Sequence, residues 1–159
     1  MSMRSEPMVR VEKCEDKSQL FTPEVRAEID AWIREAPTSI IFVVDEAYFE
    51  YVEDPRYTTA AEWVTRRPNV VITRTFSKIY AMAGLRLGYG LAASPMARRL
   101  GEFMAADNVN GVVVAAARAA LADKRLIPES RRVNAESMDI ARTCLRELEL
   151  QALPSHANF

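Results

Sequence analysis

The chain has 159 residues, of which 49% are apolar and 27% are charged, and its formal net charge is −1. This length and composition are typical of one globular domain with a sizeable core. The lack of a basic excess argues against a nucleic-acid partner. No apolar run is long enough to span a membrane, and the start of the chain lacks the hydrophobic segment of a signal peptide, so no membrane partner is expected.

The cysteines and the histidine are too few and too scattered for a metal cluster. Cys14 and Cys144 lie far apart without a CxxC pattern, and His156 is the lone histidine. Zinc sites usually need four such ligands at short spacing, so no metal site is expected. Isolated cysteines also argue against a disulfide framework and favour a reducing compartment, which predicts a cytoplasmic location.

The first half of the chain predicts a helix followed by a strand. Residues 1–21 are charged and without pattern, and we expect a leader of uncertain order there. Residues 22–24 combine a capping hydroxyl, a proline and an acid, which predict a helix start, and Pro37 predicts its end. Four apolar residues at helical spacing predict one buried stripe: Val25, Ile29, Trp32 and Ile33.

Residues 39–44 predict a central strand, because the run from Ile40 to Val44 is apolar without a break. Strands of parallel sheets that are buried on both faces have this pattern. The run ends at Asp45 and Glu46. Carboxylates directly after a buried run are costly unless solvent reaches them or something uses them.

A crossover helix then leads to a second strand. Residues 59–67 begin with a capping-box pattern and predict a helix, and residues 70–73 predict a strand. Strand, helix and strand form a right-handed βαβ unit with parallel strands. This unit would bring Asp45 to the carboxyl edge of the sheet, where α/β proteins bind ligands, beside a polar cluster of Thr75, Ser77 and Lys78.

The remaining pattern continues the alternation of helices and strands. It predicts a strand over 85–92, a helix from Ser94 with an apolar face, helices over 112–122 and 128–148, and the entry to another strand over 154–159. Apolar residues at helical spacing were expected to share faces in two of these helices: Met96, Leu100, Phe103 and Met104 in one, and Val133, Ile140, Cys144 and Leu148 in the other.

Two other functions fit parts of this pattern. An apolar run that ends in Asp and Glu resembles the acidic motif of P-loop nucleotide hydrolases, but these need a GxxxxGK[ST] loop upstream. All five glycines lie between positions 84 and 111, after the acids. A hydrolase with a Ser77–Lys78 dyad is also disfavoured, because adjacent residues of an extended strand point to opposite faces.

Three motifs together resemble the fold type I pyridoxal-phosphate-dependent aminotransferases, and most of all the histidinol-phosphate aminotransferases. They are DEAY at 45–48, TFSK at 75–78 and AGLRLGY at 83–89, and the likeness covers roughly 38–159. The resemblance implies an α/β fold whose mainly parallel sheet has helices on both faces, in three α/β/α layers. It also implies pyridoxal 5'-phosphate as the cofactor, an amino donor and a 2-oxo acid as substrates, and a homodimer of the full-length protein.

The resemblance also implies a role for each polar residue of the motifs. Lys78 would form the Schiff base and shuttle the substrate proton. Asp45 would keep the ring nitrogen protonated, and Tyr48 would donate to the phenolate oxygen. Ala47 would pack on a face of the ring. Three residues would hold the phosphate: Thr75, Ser77 and Arg86.

The chain departs from the family at both ends. Family members have, upstream of the Asp strand, a glycine-containing phosphate turn and an Asn-Pro segment, whereas residues 1–38 contain no glycine and no asparagine. We therefore expect 22–153 to be an incomplete cofactor-binding core and 154–159 the start of a truncated small domain. Alternatives are a structural or interaction piece without catalysis, or a decarboxylase or lyase of the same fold.

Overall fold

The computed structural model describes residues 23–105, 108–152 and 155–158. The expected leader and the capping Thr22 lie outside these ranges. The elements are α1 (Pro23–Glu35), β1 (Phe42–Asp45), α2 (Glu62–Arg66), β2 (Val70–Thr75), β3 (Gly88–Ala92), α3 (Ser94–Gly101), α4 (Gly111–Ala122) and α5 (Leu126–Glu147). Within the described ranges, no helix is long and apolar enough to cross a membrane.

The three strands form one sheet in the order β1-β2-β3. The β1 and β2 strands are parallel, with Asp45 opposite Thr73. The β3 strand is antiparallel to β2 and places Gly88 opposite Thr75. The α/β class is therefore confirmed, and the sheet is mixed. The ends of β1 and β2 and the start of β3 meet at one edge, called here the carboxyl edge.

An apolar cluster joins α1 and α2 to the sheet. Its buried members are Ile33, Ala60, Trp63, Val70 and Ile72. The side chains of α1 and α2 cover the sheet face to which Val70 and Ile72 point, and full burial of such a side chain contributes about 1.5–3 kcal/mol. The Trp63 indole also donates a 2.6 Å hydrogen bond to Asp30 of α1, which fixes the two helices to each other.

The prediction that β1 is buried on both faces was wrong. Val43 is 65% exposed, and Ile40 and Ile41 precede the strand and are also exposed. The sheet order explains this exposure, because β1 is an edge strand of the described sheet. An apolar run therefore identified the strand but not its neighbours.

Several predicted helix faces are likewise exposed. In α1 only Ile33 of the expected stripe is fully buried, while Trp32 is 60% exposed and Ile29 lies at the surface. Helical spacing predicted the helices, but burial of a face also requires a second layer against it. The faces expected in the later helices are also exposed: Leu100 in α3, Val133, Ile140 and Cys144 in α5, and Leu148 after α5. Phe103 and Met104 do not share the face of α3 as expected, because that helix ends at Gly101.

The predicted capping box at the start of α2 was wrong. The helix begins at Glu62, and its N-cap residue makes no side-chain cap hydrogen bond. The Thr59 hydroxyl instead accepts from the Ala61 amide at 3.0 Å and lies 2.8 Å from both carboxylate oxygens of Glu46. Glu46 also accepts a 2.7 Å hydrogen bond from the Ala60 amide. The Glu46 carboxylate, which follows β1, thus accepts hydrogen bonds from the segment that leads into α2.

The Glu46 carboxylate is also half of a buried ion pair. It lies 2.8 Å from the guanidinium of Arg74 on β2, and the two side chains are only 2% and 15% exposed, Glu46 being the more buried. The Arg74 Nε adds a second hydrogen bond of 3.0 Å. The guanidinium stacks 4.3 Å from the centroid of the Phe49 ring. The pair joins the two parallel strands at the carboxyl edge.

The third predicted strand begins later than expected. Residues 83–85 form a 3-10 turn, and Arg86 adopts a left-handed conformation with φ of 55°, so β3 starts only at Gly88. This conformation is incompatible with an extended strand. The predicted strand entry at 154–159 is not found in the described residues 155–158, and the rest of that segment lies outside the described ranges.

Glu46→Gln tests how much the buried pair stabilises the fold. Removing one partner of a buried ion pair leaves the other charge uncompensated, so we expect the free energy of unfolding of the full gene product to fall by about 3 kcal/mol. Urea denaturation measures the change. The matched control is Glu136→Gln, which breaks an exposed arginine pair on α5 and should leave stability near that of the wild type. Equal effects of the two substitutions would contradict this account.

Candidate active site at the carboxyl edge

Asp45 is the last residue of β1, and two donors orient its carboxylate. Its Oδ1 atom accepts a 3.1 Å hydrogen bond from the Thr73 hydroxyl and a 3.0 Å hydrogen bond from the Ala47 amide. The residue remains exposed. Asp45 therefore offers an accessible negative charge in a fixed position, and Ala47 is held in the turn that follows.

Lys78 and Tyr48 come together from the two sides of this edge. The Lys78 Nζ atom lies 5.0 Å from the centroid of the Tyr48 ring, within the range of a cation–π contact. The Tyr48 ring is in turn 6.2 Å from the ring of Tyr51. The turn after β1 thus positions an aromatic ring beside the amine that follows β2.

Buried apolar residues hold the turn that carries Lys78. Phe76 and Ile79 flank Ser77 and Lys78, and both belong to a second apolar cluster that includes Ala117 of α4. The Phe76 amide donates to the Leu87 carbonyl at 3.1 Å. Ser77 and Lys78 are half-buried between these anchors. Because the flanking side chains are fixed in a core, the amine is presented on a defined backbone.

Thr75 and Ser77 are linked to each other and to the chain before β3. The Thr75 hydroxyl accepts from the Ser77 amide at 3.0 Å and lies 3.3 Å from the Leu87 carbonyl. Arg86 stands apart: its guanidinium donates to the Ala83 carbonyl at 2.6 Å and is exposed. The edge therefore brings together the expected residues from β1 and β2, whereas the Arg86 side chain is turned back on its own 3-10 turn.

Two cations near the edge, Lys78 and Arg86, form no ion pair within the described residues. The ion pairs found in the same part of the chain each join another arginine to a carboxylate. A lysine without an ion pair, close in sequence to two hydroxyls, suits an anionic ligand such as a phosphate. Among these same residues, no group of three metal-ligating side chains occurs.

The buried Glu46–Arg74 pair affects the pKa values of the groups around it. Burial alone would lower the pKa of Arg74, but its hydrogen bond to Glu46 raises that pKa above the usual value. Burial, followed by the negative charge of Glu46, raises the pKa of Tyr57 to about 12. Burial also raises the pKa of Glu50, whose Oε2 atom has no partner among the described residues.

The sequence reasoning missed Thr73, Glu46 and Arg74. The sequence motifs assign no role to any of these three residues. Consecutive residues of a strand point to opposite faces. A charged residue next to a site residue in the sequence therefore points to the other face of the sheet. Opposite charges at Glu46 and Arg74, each next to a candidate site residue, were the signal that could have revealed their pairing.

The family model "Aminotransferase class I and II" matches residues 26–159. The chain is 42% identical to a histidinol-phosphate aminotransferase of Nitrosococcus oceani over 83% of its own length and 36% of the relative. It superposes on 35% of the crystal structure of histidinol-phosphate aminotransferase from Sinorhizobium meliloti in complex with pyridoxal-5'-phosphate, with a TM-score of 0.76, 31% identity and 82% of this chain covered.

An aromatic aminotransferase from Pyrococcus horikoshii is more distant, with 26% identity, a TM-score of 0.69, and 85% of this chain and 37% of that structure covered. The chain thus spans little more than a third of these proteins. The matched structures share its fold, and the matched region contains the whole carboxyl edge.

Gly88→Ala tests the close approach of β3 to the edge. A Cβ at Gly88 would lie 3.0 Å from the Arg74 carbonyl oxygen, whereas one at Gly84 would meet nothing within 4 Å. Crowding of this kind costs about 1–3 kcal/mol, so Gly88→Ala should lower the free energy of unfolding by that amount and Gly84→Ala should not. Thermal and urea denaturation of the full gene product measure both. Indistinguishable variants would contradict the described register.

Proposed function

The chain belongs to the class I and II aminotransferase family, and on that premise we propose that its carboxyl edge binds pyridoxal 5'-phosphate in an enzyme that transfers amino groups. The amino group would pass between an amino donor and a 2-oxo acid. The observation that carries the proposal is that Asp45 ends β1 and Lys78 follows the adjacent parallel strand β2 at the same sheet edge, where the Lys78 amine lies 5.0 Å from the centre of the Tyr48 ring.

The chemistry of the available groups fits this cofactor. Asp45 presents an oriented, exposed carboxylate, as a protonated ring nitrogen requires. Lys78 and Arg86 supply positive charge and form no ion pair in the described chain, and Thr75 and Ser77 at the end of β2 supply hydroxyls, as a phosphate requires. The bound cofactor would supply an electron sink for the reacting carbon.

Each residue of the edge then has one task. Asp45 holds the proton on the ring nitrogen through a charge-assisted hydrogen bond, which contributes about 1.5–3 kcal/mol. Tyr48 would donate its hydroxyl to the phenolate oxygen, and the small side chain of Ala47 would pack on a ring face. Thr75 and Ser77 would donate to the phosphate. Arg86 would join them only if its guanidinium left the Ala83 carbonyl.

Lys78 would hold the bound cofactor and move the substrate proton. Both roles would belong to its Nζ atom. Proton transfer by a positioned group contributes about 10²–10⁴ in rate. The fixed turn between Phe76 and Ile79 supports this role, because it limits where the amine can reach.

The substrate proposal rests on the relatives. Those named histidinol-phosphate aminotransferase favour a phosphorylated amino donor of that kind, and the aromatic aminotransferase is the second candidate. Like the family, the protein is proposed to work as a homodimer, and its scattered cysteines favour the cytoplasm. A purely structural role for the chain remains the competing hypothesis that the next experiment addresses.

Reductive trapping tests the role of Lys78. We expect borohydride treatment of the full gene product with pyridoxal phosphate to leave the phosphopyridoxyl mass on the peptide that contains Lys78, as measured by mass spectrometry. Lys78→Arg should abolish the label, and the matched variant Lys124→Arg, at an exposed turn, should retain it. Label on Lys124, or no label at all, would reject the proposed function in favour of a structural piece.

A further inference from the structure

We propose that the Glu46–Arg74 pair is the positioning device of the candidate site: acting from the reverse face, it sets where Asp45 and Thr75 stand. The inference rests on the proposed cofactor site and adds two residues to it. Neither side chain would touch the cofactor. Both act through the backbone of the strands that present the site residues.

Alternation along the strands places the pair behind the site. Asp45 and Glu46 are consecutive, as are Thr73, Arg74 and Thr75. Since consecutive strand residues point to opposite faces, Arg74 points away from its two threonine neighbours. The contacts agree: the Thr73 hydroxyl binds Asp45 on one face, while Arg74 binds Glu46 on the other. The ion pair therefore joins the two strands on one face of the sheet, and the Thr73–Asp45 hydrogen bond orients the site carboxylate on the other face.

The backbone transmits any movement of the pair to Asp45. The Glu46 amide donates to the Thr73 carbonyl at 2.9 Å and is the last rung between β1 and β2. Thr73 is also the side chain that orients Asp45. A shift of Glu46 would therefore change both the peptide that carries Asp45 and the distance from Asp45 to its donor.

Arg74 also contacts the turn after β1 and the segment before α2. Besides Glu46, it donates to the Thr59 hydroxyl at 2.9 Å and lies over the Phe49 ring in the turn after Tyr48. Tyr89, opposite Arg74 on β3, also raises the pKa of the guanidinium through a hydrogen bond, after the larger effects of burial and of Glu46. One guanidinium thus contacts the turn after β1 and the segment that leads into α2.

Glu46→Gln in the full gene product tests the proposal with two measurements. Hydrogen exchange without cofactor should show the amides of Glu46 and Ala47 exchanging at least about tenfold faster than in the wild type, since the Glu46 amide donates to the Thr73 carbonyl of β2 and the Ala47 amide donates to the Asp45 carboxylate. Titration with pyridoxal phosphate, followed by visible absorbance, should give a dissociation constant about tenfold higher, together with a shifted pH midpoint of that absorbance.

The control separates positioning from loss of stability. Ile33→Ala removes a fully buried side chain of α1 that is far from the edge in sequence, so it should lower the stability of the fold. It should not change the exchange rates of the Glu46 and Ala47 amides or the dissociation constant of the cofactor. If Glu46→Gln does not fold, the same two measurements are made on Arg74→Lys. That substitution keeps the positive charge but loses the paired hydrogen bonds from the guanidinium to Glu46.

Unchanged exchange and affinity in the folded variant, or changes equal to those of Ile33→Ala, would overturn the proposal. Failure of the proposed function is a different result, in which the wild type carries no cofactor on Lys78. The exchange measurement, made without cofactor, still decides whether the pair positions the edge.

Discussion

The buried ion pair between Glu46 and Arg74 is the constraint on which the described structure depends. Two charges removed from water are tolerated only when they pair and when their remaining hydrogen-bonding capacity is filled. Here that condition is met by the parallel register of β1 and β2, by Thr59 and by the Ala60 amide. A slip of one strand by one residue would leave both charges unpaired and buried. The register, the start of α2 and the shape of the carboxyl edge are thus consequences of one interaction.

The same constraint explains how a small sheet presents a reactive edge. On the covered face of the sheet Glu46 and Arg74 neutralise each other, and on the open face the Asp45 carboxylate remains accessible. The lysine comes next in the chain, on a turn fixed by Phe76 and Ile79 in a separate apolar cluster. Carboxylate and amine are therefore set by two different kinds of force, an ion pair for β1 and β2 and hydrophobic burial for the turn.

Local patterns predicted the elements well and their environments poorly. Apolar runs and helical spacing located β1, β2 and the helices, because these signals arise within a few residues of chain. They could not reveal that Val43 and Trp32 are exposed or that β3 is antiparallel, because burial and strand direction depend on residues distant in sequence. The capping box at Thr59 failed for the same reason: Glu46, thirteen residues away, takes over the capping of that turn. The motif resemblance located the candidate site. The Glu46–Arg74 pair on the reverse face became visible only in the folded structure.

The most direct test of the central claim is nitrogen NMR on the full gene product loaded with ring-¹⁵N pyridoxal phosphate. The account predicts a protonated ring nitrogen in the wild type and in Asp139→Asn, a control at an exposed acid of α5. In Asp45→Asn the resonance should move to that of the neutral ring, while the cofactor stays attached to Lys78, because the Asn side chain cannot supply the counter-charge. A ring nitrogen with the same resonance in the wild type and in Asp45→Asn would contradict the account.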